Sequence, residues 1–115
     1  MTCKRGDVVL VLFSHSSLRS AKKRPALVIQ ATSLTTGLPQ TVVAMITGKM
    51  IRAGHLSRVA LPLGSAISRG TGLRTDSVVT TDNIATILDS AIDRTIGAIG
   101  DMTMIDAALR HTLSL

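Results

Sequence analysis

Hydrophobic positions in the first 99 residues fall into short runs separated by polar, glycine or proline residues, a pattern typical of β-strands. The run 8–13, bounded by Gly6 and by a serine-rich segment, predicts a buried first strand. Pro25 is predicted to open a second strand after a basic loop at 19–24, because proline is tolerated at the first position of a strand. The predicted strands after Pro25 cover residues 26–29, 41–47, 57–61, 78–79, 84–88 and 95–99.

The last fifteen residues change to a helical period. Ile105, Ala108 and Leu109, followed by either Thr112 or Leu113, recur at the spacing of one helix face. The preceding Asp101 is a suitable N-cap, and the basic residues of the last turn suit the negative end of the helix dipole. Many short strands followed by one helix predict an α+β fold, mainly β, in which the helix covers part of a small antiparallel barrel.

The length of 115 residues is enough for one domain and too short for two. Apolar residues make up 45% of the chain and no internal repeat or long linker divides it, so we expect a single domain over 1–115. The longest apolar run has six residues, against the roughly 20 that a membrane helix needs, and no signal-peptide cleavage site follows it. These features predict a cytoplasmic chain. The single Cys3 excludes an internal disulfide, and the histidines lack the spacing of a zinc site.

Charge narrows the function classes. Thirteen basic residues against seven acidic ones give a net charge of +6, and basic residues are concentrated in positions 1–24. One interpretation is a solvated surface, and the other is a site for a polyanion such as nucleic acid, which the arginines favour because guanidinium pairs well with phosphate. All seven acids are aspartates, so a glutamate-based mechanism is excluded. Phe13 is the only aromatic residue, so bases cannot stack on a platform of rings.

Five segments follow one another in a recognisable order along the chain: Arg5 to Val11, Lys23 to Ile29, Val43 to Thr47, Gly72 to Val79 and Asp106 to Leu109. Together these segments resemble the MazF/PemK family of type II toxin–antitoxin ribonucleases. The resemblance implies an SH3-like, CcdB/MazF/PemK-like barrel with a C-terminal helix, usually in a homodimer. It also implies sequence-specific cleavage of single-stranded RNA, mainly mRNA, without a metal or any other cofactor, and a cognate antitoxin with an acidic tail.

The same resemblance implies the site residues. Arg24 matches the family's catalytic arginine, and we expect it to stabilise charge on the phosphate, because a guanidinium is a poor proton donor. Thr47 matches the catalytic threonine, whose hydroxyl can donate a hydrogen bond to the scissile phosphate. The residues expected to contact RNA besides these two are Ser17, Arg19, Ser20, Lys22, Lys23, Lys49 and Ser77.

The general base has two candidates. His15 is the imidazole of the first loop and titrates near neutral pH, although a solvent-facing loop histidine is an equal interpretation. Asp82 falls where the family often carries an acid, and it could accept a proton, bind a nucleotide, orient Arg24 or close a turn. The sequence leaves both candidates open.

Two departures from the family pattern bear on RNA binding. Ala85 and Ala91 stand in segments where family members commonly carry arginine. These losses affect how RNA is held and which sequence is selected. An alternative function, from another class, is a non-catalytic barrel that binds RNA or poisons a protein target such as DNA gyrase.

Overall fold

The computed structural model describes residues 3–14 and 21–115. Within them, six strands and one C-terminal helix follow one another along the chain, and a single 3-10 turn at Asp89–Ala91 joins the fifth and sixth strands. None of the helices in this part of the chain has the length and apolar character needed to cross a membrane. The elements are β1 (Asp7–Ser14), β2 (Ala21–Val28), β3 (Gln40–Thr47), β4 (Arg58–Leu61), β5 (Ser77–Leu88), β6 (Ile92–Ala98) and α1 (Thr103–Leu113).

The strands form one antiparallel sheet in the order β4-β5-β3-β2-β1-β6. The segment that links β4 to β5 packs on β6, where the Ala98 N–H donates to the Gly70 carbonyl at 2.8 Å. Gly97 permits this approach, because a Cβ there would collide with Gly70 and Thr71. The sheet therefore curves like a barrel, but among the described residues its two edge strands, β4 and β6, do not pair with each other. The predicted mainly β fold with a C-terminal helix is confirmed.

Apolar side chains are buried on both faces of the sheet. Along β1, Val8 belongs to a core beneath the helix, whereas Val9 belongs to a second core on the other face. Leu27 and Ala26 divide in the same way on β2. Side chains alternate along a strand, so a continuous apolar run such as 8–13 indicates a strand covered on both sides.

The second strand is longer than the sequence pattern suggested. β2 starts at Ala21, so the prediction of a loop over 19–24 is wrong for positions 21–24, and Pro25 lies inside the strand instead of opening it. Pro25 pairs with Leu10 of β1, while pairing with β3 begins only at Ala26. The proline therefore occupies the part of β2 that has no partner on its β3 side, where a missing N–H costs nothing.

The fifth strand was expected as two pieces. Residues 77–88 form one strand, β5, with a bulge where its pairing with β3 shifts from Ala44↔Ile84 to Met45↔Thr80. Thr81, at the bulge, is fully buried and donates its hydroxyl to the Ser57 carbonyl at 2.5 Å. The polar residues that suggested a break are therefore internal to the strand. β6 likewise begins three residues before the predicted start.

The terminal helix agrees with its pattern. Ile105, Ala108 and Leu109 are buried, and the next position on that face is Thr112, whose hydroxyl lies 2.8 Å from that of Thr81. Asp101 lies just before the helix and accepts hydrogen bonds from the Thr103 hydroxyl at 2.6 Å and N–H at 3.0 Å. These two bonds lower the pKa of the Asp101 carboxyl. The helix begins at Thr103 with Met102 in the N-cap position and no side-chain cap bond from it, so the prediction of Asp101 as the N-cap residue is wrong by one position, although its carboxylate does accept bonds from the first turn.

Candidate active site

Arg24 and Thr47 lie on two neighbouring strands, just past the point where the pairing of these strands ends. The pairing of β2 with β3 stops at Ala26↔Met45, and Arg24 and Thr47 lie two residues beyond these partners on their respective strands. Both line one open groove of about 660 Å³. The fold therefore brings together two side chains that are 23 positions apart in the sequence.

The groove continues one face of the sheet beyond its core. Residues two apart on a strand share a face, so Arg24 lies on the face of buried Ala26, and Thr47 on the face of Met45. Arg24 is exposed and Thr47 is half-buried, whereas Ala26 is completely buried. Met45 and Ala85, which pack against the core on this face, also line the groove, so Arg24 and Thr47 lie beside an apolar surface.

The bulged strand β5 forms another side of the groove. Thr80, Asn83 and Ala85 line it, with Asn83 exposed. The Thr80 hydroxyl donates to the Met45 carbonyl at 2.6 Å, which ties the bulge to β3. Bulges commonly redirect side chains beside active sites. Here the bulge lets the exposed amide of Asn83 line the groove while Thr81 remains buried.

The Thr47 hydroxyl accepts a hydrogen bond from the backbone two residues further along the chain. The Lys49 N–H donates to Thr47 Oγ1 at 3.1 Å. A threonine hydroxyl has one hydrogen to donate besides the lone pairs that accept. Because this contact uses a lone pair, the hydrogen is available for an acceptor in the groove, such as a phosphate oxygen.

The groove is cationic. Four basic residues line it, and the lining residues that the structure describes include no carboxylate. A concave site with one sign of charge attracts oppositely charged ligands and concentrates them locally. The arrangement can therefore hold an extended polyanion. The four are Arg24, Lys49, Arg52 and Arg58.

Comparison with known proteins assigns the family. Residues 4–113 match the model of the PemK-like, MazF-like toxins of type II toxin–antitoxin systems. The chain belongs to this family. The resemblance noted in five segments of the sequence is thereby confirmed, and the match covers nearly the whole chain. No match was found among curated proteins.

Solved structures share the toxin fold over the full length. An endoribonuclease from a mycobacterial species, in complex with its cognate antitoxin, aligns with a TM-score of 0.76 and 21% identity, covering 98% of this chain and 96% of that one. The Mycobacterium tuberculosis toxin MazF-mt6 aligns with a TM-score of 0.69 and 25% identity over 95% and 97% of the two chains. MazE–MazF from Deinococcus radiodurans aligns with a TM-score of 0.74 and 15% identity, and the alignment covers 100% of this chain and 98% of that one.

Not every residue suggested by the family pattern lies in the groove. Lys49 lines it, whereas Lys22 is not among the lining residues. Lys23 lies on the opposite face of the sheet from Arg24, because successive side chains of a strand point to opposite faces. Its ammonium group forms an ion pair with the Asp93 carboxylate at 3.2 Å. Ser77 is buried outside the groove and donates its hydroxyl to the Thr75 carbonyl at 3.0 Å. Four further candidates lie outside the described residues: His15, Ser17, Arg19 and Ser20.

Asp82 has a different partner from the one suggested. Its carboxylate lies 3.3 Å from Arg58 Nη2, and no ion pair with Arg24 is recorded within residues 3–14 and 21–115. Arg58 lines the groove, so Asp82 stands beside the site and contacts it through Arg58.

Sequence reasoning missed part of the lining. Arg52 and Arg58 contributed only to the overall charge, and Asn83 was not considered as a site residue. Arg58 reaches the groove because β4 pairs with β5 at Arg58↔Thr80. This pairing joins residues 22 positions apart, and nothing in the local pattern indicates it. A basic residue in a predicted strand was the only available signal.

Proposed function

We propose that this protein is an endoribonuclease toxin that cleaves single-stranded RNA without a metal ion. The observation that carries the proposal is the meeting of Arg24 and Thr47 in one cationic groove. Two mycobacterial proteins with this fold are endoribonucleases, at 21% and 20% identity. A ribonuclease needs a groove that attracts phosphates and offers hydrogen-bond donors to them, and the cations and the Thr47 hydroxyl of this groove support that proposal.

In the proposed reaction the substrate supplies its own nucleophile. The 2′-oxygen of one nucleotide attacks the adjacent phosphorus, and the bond from phosphorus to the 5′-oxygen of the next nucleotide breaks. The products are a 2′,3′-cyclic phosphate and a 5′-hydroxyl, with one proton leaving the 2′-oxygen and one added to the 5′-oxygen. Negative charge on the phosphate oxygens grows in the transition state, so positioned donors there accelerate the step.

Arg24 and Thr47 have complementary roles in this proposal. The Arg24 guanidinium stays charged and offers donors in a planar fork, which suits the two non-bridging phosphate oxygens. The Thr47 hydroxyl, whose oxygen accepts from the Lys49 N–H, donates its hydrogen to the same phosphate. Together they hold the phosphorus in line with the attacking oxygen.

Two residues remain proposals for proton transfer and orientation. We propose His15 as the general base, because imidazole takes up a proton near neutral pH. The carboxylate of Asp82 is engaged by Arg58, which favours an orienting role over proton transfer. A general base is inactive when it is protonated, so the rate falls on the acidic side of the pH profile. We expect His15→Ala to remove this fall in rate at low pH.

A cognate antitoxin is the proposed partner. Proteins of this fold are found with an antitoxin from a mycobacterial species and from Deinococcus radiodurans. We propose that an acidic tail covers the cationic groove and that the toxin acts as a cytoplasmic homodimer of single-domain chains. Such a charge-based contact weakens as salt rises, because ions screen it. Sedimentation equilibrium tests the dimer through its mass.

The test is digestion of single-stranded RNA in EDTA by purified protein. We expect Arg24→Ala and Thr47→Ala each to lower the rate about 100-fold or more, since loss of a transition-state donor costs this much. Arg24→Lys, which keeps the charge without the fork, should recover only part of the rate. Arg69→Ala and Thr86→Ala change exposed residues outside the groove and serve as matched controls.

Two results would count against the nuclease. One is intact RNA after incubation with excess wild-type protein, and the other is an unchanged rate in Arg24→Ala. Inhibition of DNA gyrase in a supercoiling assay by protein that leaves RNA intact would instead support the non-catalytic alternative.

A further inference from the structure

We infer that Arg58 is a further substrate-binding residue, which holds a phosphate next to the scissile one at the far side of the groove. This inference rests on the proposed ribonuclease function. It assigns to β4 a part of the binding site that the family resemblance did not indicate.

The position of Arg58 separates it from Arg24. The sheet order places β5 and β3 between β4 and β2, so three strand spacings, or about 14 Å along the sheet, lie between the backbones of Arg58 and Arg24. Both side chains nevertheless line the same groove. At that backbone separation Arg58 is better placed for a neighbouring nucleotide of an extended strand than for the phosphate held by Arg24.

The Arg58 side chain is fixed but retains donors. Only 20% of it is exposed, and its recorded polar contact among the described residues is a single bond from Nη2 to Asp82 at 3.3 Å. A guanidinium has five N–H donors, so most of them can still reach a ligand. The Asp82 carboxylate, 41% exposed at the bulge, orients the guanidinium without using up its capacity. A preoriented side chain loses less entropy on binding.

Arg58 supplies the positive charge on the side of the groove that lies across β5 from Arg24. Asn83, in the bulge of β5, and Ala85, just beyond it, line the groove and carry no charge. Without Arg58, the described cations of the groove would come only from β2 and from the segment after β3, where Lys49 and Arg52 lie. Arg58 thus extends the positive surface across β5 and gives the groove two charged sides.

The experiment measures cleavage of an oligoribonucleotide that carries a site mapped by sequencing the ends of digested RNA. We expect Arg58→Gln to raise KM about tenfold, since hydrogen bonds to charged groups contribute at that level, with kcat changed less than twofold. Arg69→Gln, an exposed arginine outside the groove, should leave KM unchanged. Arg58→Lys should restore part of the affinity.

A second variant distinguishes binding from folding. Ala85→Arg adds a guanidinium to the same groove, so in the Arg58→Gln background it should return KM toward the wild-type value. An unchanged KM in Arg58→Gln, an equal increase in Arg69→Gln, or a fall in kcat alone would overturn the inference and leave the proposed function intact. Wild-type protein that neither cleaves nor binds RNA would overturn both.

Discussion

The salt dependence of RNA binding follows from the charges in the groove. Lys49 lines the groove, and its N–H also positions the Thr47 hydroxyl. Substitution Lys49→Gln keeps that backbone contact and removes one charge. The variant therefore separates the electrostatic contribution to RNA binding from the arrangement of the Thr47 hydroxyl.

The magnitude can be worked from the four cations that line the groove. Each phosphate contact to a single strand contributes about −0.7 to the slope of log K against log salt, so four contacts give about −2.8 or steeper. Between 50 and 200 mM salt, this slope weakens binding about 50-fold. With three contacts the slope is about −2.1, and the same change of salt weakens binding only about 18-fold.

The assay is fluorescence anisotropy with an oligoribonucleotide that has a single 2′-deoxynucleotide at the scissile position. This probe binds without being cleaved if the 2′-hydroxyl is the nucleophile. Wild-type protein, Lys49→Gln and the control Arg69→Gln are titrated at several salt concentrations. We expect the control to keep the wild-type slope, because Arg69 lies outside the groove.

Either of two outcomes would refute this reasoning. A wild-type slope shallower than about −1.5 would correspond to about two phosphate contacts or fewer, which contradicts four groove cations that each contact a phosphate. Equal slopes for wild type and Lys49→Gln, with equal affinities, would mean that Lys49 takes no part in binding.

Three further predictions concern the scaffold. Thr81→Val removes a buried, hydrogen-bonded hydroxyl and should lower the free energy of unfolding, measured in urea, by about 2 kcal/mol. The control Thr86→Val, on the exposed side of β5, should change it by less than about 0.5 kcal/mol. Equal effects of the two substitutions would contradict this prediction. Gly97→Ala should cost about 3 kcal/mol or more through its collision with the β4–β5 connection, and Gly100→Ala, with open space around it, should cost far less. Hydrogen bonds hold the pKa of the Asp101 carboxyl below its ordinary value of 3.8. The ionised carboxylate therefore stabilises the fold fully above pH 3.8, and this stabilisation is lost as the pH falls through the lowered pKa. An NMR titration of the carboxyl that gives a pKa at or above 3.8 would contradict this prediction.

Local sequence signals predicted the elements whose neighbours reinforce their pattern. The apolar run of β1 and the helical period through Ile105, Ala108 and Leu109 both correspond to observed elements. A helix buried on one face has apolar residues at a helical spacing, and a strand buried on both faces has a continuous apolar run, so both can be recognised from the sequence. The family pattern indicated Arg24 and Thr47 because it spans the segments that carry them.

The remaining features depend on contacts between distant residues. The bulge of β5 places Thr81 under the helix and Asn83 in the groove, but its polar residues resemble a turn when the chain is considered alone. Pro25 continues a strand because β3 does not pair with that part of β2. Arg58 becomes a groove residue only through the β4–β5 register. Tertiary pairing overrides local preference in each case.

The most direct measurement of the central claim is the fate of one phosphodiester after its neighbouring 2′-hydroxyl is removed. Wild-type protein in EDTA should cut the all-ribose oligonucleotide to a 2′,3′-cyclic phosphate and a 5′-hydroxyl. It should leave the bond intact when the nucleotide on the 5′ side of that phosphate is 2′-deoxy, while still binding it. Cleavage of the deoxy-substituted bond, or products with a 5′-phosphate, would contradict a groove in which Arg24 and Thr47 align the substrate's own nucleophile.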